Sequence, residues 1–266
     1  MSETDVTEPT PPAPARTLKE RLGSFAAEFG PLVVGLFMVL VVRTVVAEPF
    51  TVPSASMVPT LLVGDKLLAS KWAYGFSRYS LPIGALNFAG RIMDRAPVRG
   101  DVVVFKLPRD TSINYVKRLI GLPGDHIQMK EGRLYINGEI VARRDAPDYT
   151  TMSYGHPWTL RHYIETLPGG RDHEILESSD AAAYDDTDEY VVPAEHYFMM
   201  GDNRDDSLDS RVSADRGGVD YVPAENLVGR VDRVVYSRDQ DVSWHWDAIP
   251  AWIESFRDGR FFTAIH

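Results

Sequence analysis

The chain contains no cysteine among its 266 residues. That excludes a disulfide scaffold, a cysteine nucleophile and any thiolate metal site. Basic charge is also in deficit: 28 Lys and Arg stand against 38 Asp and Glu, a formal net charge of −10. No nucleic-acid partner is expected of such a balance, because a phosphate backbone needs a basic face. No G-x-S-x-G elbow occurs, so a Ser-His-Asp hydrolase of that type is not indicated by the seven histidines. The charged run Gly201–Arg211 lacks the glycine and terminal glutamate of a calcium loop, so neither a metal nor a cofactor is expected. Internal repeats are absent, and helical apolar periodicity is weak beyond residue 48.

The charge deficit is local. Residues 171–220 carry 15 acidic and 4 basic side chains, while the rest of the chain carries 23 and 24. The protein is therefore near neutral with one acidic stretch.

What is present falls into four parts. Residues 1–28 form a tail, rich in Pro, Thr and acid over 1–15 and too poor in apolar residues to order itself, with Arg16, Lys19 and Arg21 as a basic flank. Residues 29–47 are an apolar run with one charge, Arg43. At 1.5 Å per residue such a run spans about 28 Å, close to a bilayer core. No Lys or Arg occurs from 44 to 65, so the positive-inside bias leaves the N-terminus in the cytoplasm and the remainder outside. A buried core helix and a cleaved signal peptide ending at Ala47 are the competing readings. The first lacks a polar face, and the second has a long acidic leader and Pro49 too close.

The remainder reads as β-rich. Asp101–Leu107, Tyr190–Met200 and Leu227–Ser237 have strand character, and His126–Val141 reads as strands broken at Glu131-Gly132 and Asn137-Gly138. Residues 142–189 look loop-like. The Trp- and Phe-rich tail 242–266 suits either a membrane interface or ordinary packing.

Three clusters could carry chemistry. Phe50–Leu61 holds Ser54 and Ser56 between Pro53 and Pro59, a stiff extended segment able to present a hydroxyl. Tyr115–Asp125 holds Lys117; as a strand it places Tyr115, Lys117 and Leu119 on one face and Val116, Arg118 and Ile120 on the other. Apolar neighbours would lower the pKa of Lys117, as a general base near neutral pH requires. The third cluster is Gly201–Arg211, either a solvated turn or a buried ion-pair network.

Together and in this order, Pro53–Leu61 (PSASMVPTL), Gly64-Asp65, Arg99–Lys106 (RGDVVVFK), Tyr115–Asp125 (YVKRLIGLPGD) and Gly201–Arg211 (GDNRDDSLDSR) resemble bacterial type I signal peptidase. The resemblance implies a membrane-anchored serine endopeptidase with a Ser–Lys dyad that removes signal peptides from exported preproteins on the outer face of the cytoplasmic membrane. It implies Ser56 as nucleophile, Lys117 as general base, Ser54 and the Ser56 backbone N–H as oxyanion donors, and Ser207 as the hydroxyl orienting Lys117. It further implies ion pairs of Asp202 with Arg118 and of Asp209 with Arg211. Phe50, Val52, Leu61, Leu67, Val104, Tyr115 and Val116 would line pockets for small residues at the first and third positions before the scissile bond.

Two departures are visible. Asp206 stands where Asn is usual, and the segment between Arg211 and Val222 is longer than in the shortest forms. Self-cleaving Ser–Lys repressors would need a DNA-binding head for which 1–28 is too short, and a non-catalytic peptide-binding β module would have no use for both Ser56 and Lys117.

The expected fold class is mainly β: an antiparallel β catalytic domain over 48–125 and 195–266, a β-containing insert over 126–194, and one transmembrane helix over 29–47. The expected partners are preproteins and the lipid bilayer, and the expected state is a monomer. The acidic excess from Asp172 to Glu195 is expected to face water.

Overall fold

The structure, a computed structural model, describes residues 18–41, 47–80, 88–153, 156–239 and 249–265. The chain divides into two compact units, 1–42 and 43–266.

The first unit contains helix α1, Leu18–Val41. It begins before the apolar run, so residues 18–28, expected to be an unordered tail, are instead helical. The Leu, Lys, Glu, Arg and Ala of that segment are good helix formers, and their propensity outweighs the polarity on which the tail expectation rested. Leu32, Leu36 and Val39 are each well over half exposed. Among the described residues no helix is long and apolar enough to cross a membrane. Residues 42–46, the end of the expected anchor, and 1–17 lie outside the described residues.

The second unit is mainly antiparallel β, as expected. In chain order its longer strands are β1 (Ala47–Thr51), β2 (Asp65–Ser70), β3 (Val102–Leu107), β4 (Asp110–Gly121), β5 (His126–Lys130) and β6 (Arg133–Ile136). There follow β7 (Ala142–Ser153), β8 (His156–Leu167), β9 (Arg171–Glu177), β10 (His196–Met200) and β11 (Leu227–Ser237). The largest sheet runs β1–β2–β11–β3–β4–β10, extended by Val222–Pro223, with Thr263–Ala264 also paired to β11. Strand β3 shows why its sequence is a continuous apolar run. Val102 and Val104 pack with Val52, Met57 and Leu67, whereas Val103 and Phe105 pack with Tyr74, Leu119 and Met199. Both faces of the strand are covered, so no polar alternation survives.

Strands β5 and β6 form a second sheet with Glu139–Ile140 and Tyr190–Val191. Its turns are the ones expected: Asn137 and Gly138 have φ of 54° and 80°, the two positive values that a type I′ hairpin requires.

Segment 142–189 departs from the loop-like expectation. Strands β7, β8 and β9 form a three-stranded antiparallel sheet. Along β8, Tyr163, Glu165 and Leu167 are buried in alternation. A glutamate at the middle core position broke the apolar signature of a strand. The β8–β9 connection turns at Gly169 and Gly170, both with positive φ (102° and 83°).

The aromatic tail packs on itself and on β11. Trp252, in helix α2 (Ile249–Glu254), meets the Phe256 ring edge-on at 5.0 Å, and Phe256 stacks on Phe261 at 6.0 Å and lies 5.6 Å from Tyr236. Trp244 and Trp246 lie outside the described residues.

Candidate active site

The segment after β1 leaves the sheet and turns sharply. Ser54 is extended, with φ −136° and ψ 161°, and Ala55–Met57 form one 3-10 turn. The turn is closed by the Val58 N–H on the Ala55 carbonyl and the Leu61 N–H on the Met57 carbonyl. The loop after β10 holds it from the other side: Asn203 N–H donates to the Ser56 carbonyl at 3.1 Å and Asn203 Nδ2 to the Ala55 carbonyl at 3.3 Å.

Strand β4 brings Lys117 to this turn. Lys117 Nζ donates to Ser56 Oγ, and both residues are buried. Ser54 Oγ lies 3.4 Å from Ser56 Oγ. The Lys117 amine also lies 5.8 Å from the centre of the Tyr115 ring. Burial pushes the pKa of Lys117 down to about 8; the nearby Asp209 and Asp202 carboxylates oppose the shift without cancelling it. An amine that is neutral at mildly alkaline pH and already bonded to a hydroxyl can take that hydroxyl's proton.

Ser56 and Lys117 open onto a cavity of about 490 Å³. One wall is apolar: Phe50, Val52, Leu67, Val104, Tyr115 and Val116 all line it. Leu61 does not. It is fully buried beneath the turn, packed with Met57 and Val52, because the Leu61–Met57 backbone bond folds it back into the core. The other wall is Asp205, Asp206, Ser207 and Leu208, with Tyr184 beside them. Tyr184, Leu208, Ile113 and Asn114 had no place in the sequence reading. Ile113 to Lys117 line the cavity consecutively, which strict strand alternation does not give. The register of β4 on β3 slips between Lys106 and Leu107, and a slip of this kind adds local twist. Among the described residues no histidine lines the cavity.

The two expected ion pairs are formed. Arg118 Nε and Nη2 each lie 2.8 Å from one oxygen of Asp202, with both side chains buried, and Arg118 also donates to the Gly100 carbonyl. Arg211 donates to both oxygens of Asp209, at 3.0 and 2.9 Å. Burial raises the pKa of each carboxyl, but its guanidinium partner outweighs that and holds it below the usual carboxylate range. Asp202→Ala removes the carboxylate from a buried guanidinium and is expected to cost about 3–5 kcal/mol in urea denaturation. A cost below about 1 kcal/mol would mean that the pair does not hold the fold.

Ser207 differs from expectation. Its hydroxyl is buried and lines the cavity, but makes no hydrogen bond to Lys117 or to any other described residue. It is packed against Gly201, where an added Cβ would lie 2.3 Å from Ser207 Oγ and 2.5 Å from the Ser56 carbonyl oxygen. Gly201 is thus the spacer that lets the loop close on the Ser56 turn. Gly201→Ala should displace Ser56 and lower kcat/KM about 100-fold, since misplacement by about 1 Å costs that much. Activity within threefold of wild type would show that the loop has room to give.

Beneath the loop lies a contact that the sequence did not disclose: Arg204 bonds to Glu165 of β8, both buried. Part of the acidic stretch is committed in a similar way. Glu177 pairs with Arg143 at 2.8 Å, Asp205 accepts from Ser178 and Ser179, and Asp186 accepts from the Glu131 N–H. Within Asp172–Glu195, Glu177 and Asp185 are buried, whereas Asp172, Glu174, Asp180, Asp186, Asp188, Glu189 and Glu195 are exposed, so most of this excess faces water as expected.

Comparison with known proteins agrees with what the site can do. The family described as signal peptidase, peptidase S26, matches residues 26–236. The chain belongs to this family, and is a peptidase. It is 36% identical to a signal peptidase I of Rickettsia prowazekii (strain Madrid E), covering 94% of this chain and 95% of that protein. Identity is 37% to a signal peptidase I of Rickettsia massiliae (strain Mtu5), over 90% of this chain and 92% of that one. A signal peptidase I of Enterococcus faecalis V583 with a solved crystal structure is 27% identical, over 52% of this chain and 97% of that one, at a TM-score of 0.31 that bears no argument about the fold.

Proposed function

We propose that the protein is a membrane-anchored serine endopeptidase that removes signal peptides from exported preproteins at the outer face of the cytoplasmic membrane. The observation that carries this reading is the hydrogen bond between the buried Lys117 amine and the Ser56 hydroxyl at the edge of a largely apolar cavity. In this reading the neutral Lys117 amine takes the proton of Ser56 as Oγ attacks the scissile carbonyl. It then returns that proton to the leaving amine, and water hydrolyses the acyl-enzyme by the same route. Ser54 Oγ and the Ser56 N–H stabilise the oxyanion, and Ser207 orients the lysine once substrate is bound. Residues 48–125 and 195–266 act as the catalytic domain, 126–194 as its insert, and the enzyme works as a monomer.

Substrate lies as an extended strand along β4, with main-chain hydrogen bonds giving affinity and the cavity giving specificity. Phe50, Val52, Leu67, Val104, Tyr115 and Val116 admit small side chains at the first and third positions before the cut. The test is cleavage of a preprotein with Ala at both positions, with the product's new N-terminus read by mass spectrometry. Replacing the first Ala by Phe should abolish cutting there. Equal cleavage of both would remove the small-pocket reading. Ser54→Ala should lower kcat about 10²–10³-fold without abolishing it, the usual effect of losing one oxyanion donor.

The run 29–47 serves as a single anchor with the N-terminus in the cytoplasm. The support is its length, its single charge and the basic flank before it. The full chain should stay with the membrane pellet after alkaline carbonate extraction, and a chain starting at residue 48 should be released. Full extraction of the intact chain would exclude a spanning segment.

A further inference from the structure

The two walls of the cavity differ in chemistry. Phe50, Val52, Leu67, Val104, Tyr115 and Val116 line one side, and Asp205, Asp206, Ser207 and Leu208 line the other in succession. The two carboxylates are not equivalent. Asp205 is engaged by its own fold: one oxygen accepts the Ser178 N–H at 2.7 Å, the Ser178 hydroxyl at 2.8 Å and the Ser179 N–H at 3.1 Å. Asp206 is exposed, and its carboxylate takes part in no hydrogen bond or ion pair with the described residues. Beside it Ser207 is 5% exposed and lines the same cavity, and its buried hydroxyl has no partner among the described residues. A buried hydroxyl without a partner in the protein still has a donor to offer, even where its oxygen accepts from a lysine.

The only cation lining the cavity among the described residues is Lys117, already bonded to Ser56. Once that amine gives up its charge to act as a base, the charged groups lining the cavity are the two aspartates.

We infer that Asp206, with the Ser207 hydroxyl beside it, makes the enzyme select substrates by charge, favouring Lys or Arg over Asp or Glu at a position close to the scissile bond. The inference rests on the peptidase reading above and adds a specificity determinant to it. The selecting force is Coulombic across a water-filled rim. A unit charge about 6 Å from the carboxylate in a water-like dielectric gives on the order of a tenfold difference in kcat/KM between a cationic and an anionic side chain. Because the rim is open to solvent, salt screens the effect.

The experiment uses the full-length enzyme in detergent micelles and a peptide series with Ala fixed at the first and third positions before the cut. Lys, Gln or Glu is placed in turn at the second position before it and at the first two after it. Wild type should cleave the Lys peptide about tenfold better than the Glu peptide at one of these positions, with Gln between, and the ratio should shrink toward one in 1 M NaCl. Asp206→Asn should flatten the ratio at that position, and Asp206→Glu should restore it. Equal cleavage of Lys and Glu peptides by wild type overturns the inference while leaving the peptidase reading intact. A preference that persists in Asp206→Asn, or that salt does not weaken, also overturns it, because the selection then comes from shape or another residue. Failure of wild type to cut any peptide of the series overturns the peptidase reading, and this inference with it.

Discussion

Ser56→Ala is expected to lower kcat/KM on a signal-peptide substrate by a factor on the order of 10⁴ or more, as loss of an attacking nucleophile does. The neighbouring serine cannot stand in. Ser54 Oγ lies 3.4 Å from Ser56 Oγ and has no bond to Lys117, so no base reaches it. The substitution removes one oxygen from a turn whose backbone is held by Asn203, Ala55 and Met57. Thermal unfolding should therefore stay close to wild type, and substrate should still bind. A Ser56→Ala protein that retained a tenth of wild-type turnover would assign the chemistry to another group.

Lys117→Ala is expected to be as severe, and Lys117→Arg equally so. A guanidinium keeps the positive charge but cannot be deprotonated in this pH range, so the pair separates a base from a mere cation. The effect on stability runs the other way. The pKa of Lys117 is lowered from 10.5 to about 8 by burial. The native state therefore binds fewer protons than the unfolded state between those values, and stability rises with pH across that window. Below about pH 8 the buried ammonium is a cost. Lys117→Met should thus be inactive yet at least as stable as wild type at pH 7, with a smaller gain in Tm at pH 10. An inactive variant that also unfolded readily would make Lys117 structural.

How much of this was legible in the sequence depends on what each residue contacts. The Asn137-Gly138 hairpin follows from local backbone chemistry and was readable, as was β3, whose two buried faces leave an unbroken apolar run. The meeting of Ser56 with Lys117 joins residues far apart in the chain, and no local property of either segment encodes it. It was reached through the resemblance. Strand β8 was hidden because its central core position is Glu165, whose partner Arg204 lies in a different motif. Leu61 is placed at the cavity by the resemblance alone, whereas the turn buries it underneath. The cavity's acidic wall was quoted as a motif without a direction, since burial of Ser207 and exposure of Asp206 are products of the turn that follows Gly201.

The central claim is that a lysine with a lowered pKa activates Ser56. Its most direct test is the pH dependence of kcat/KM for the intact enzyme on one peptide with Ala at the first and third positions before the cut. Activity depends on the neutral amine, so it should rise with pH through an apparent pKa of about 8. A limb centred near 6.5, the unperturbed range of histidine, or a rate independent of pH from 6 to 9, would contradict the account.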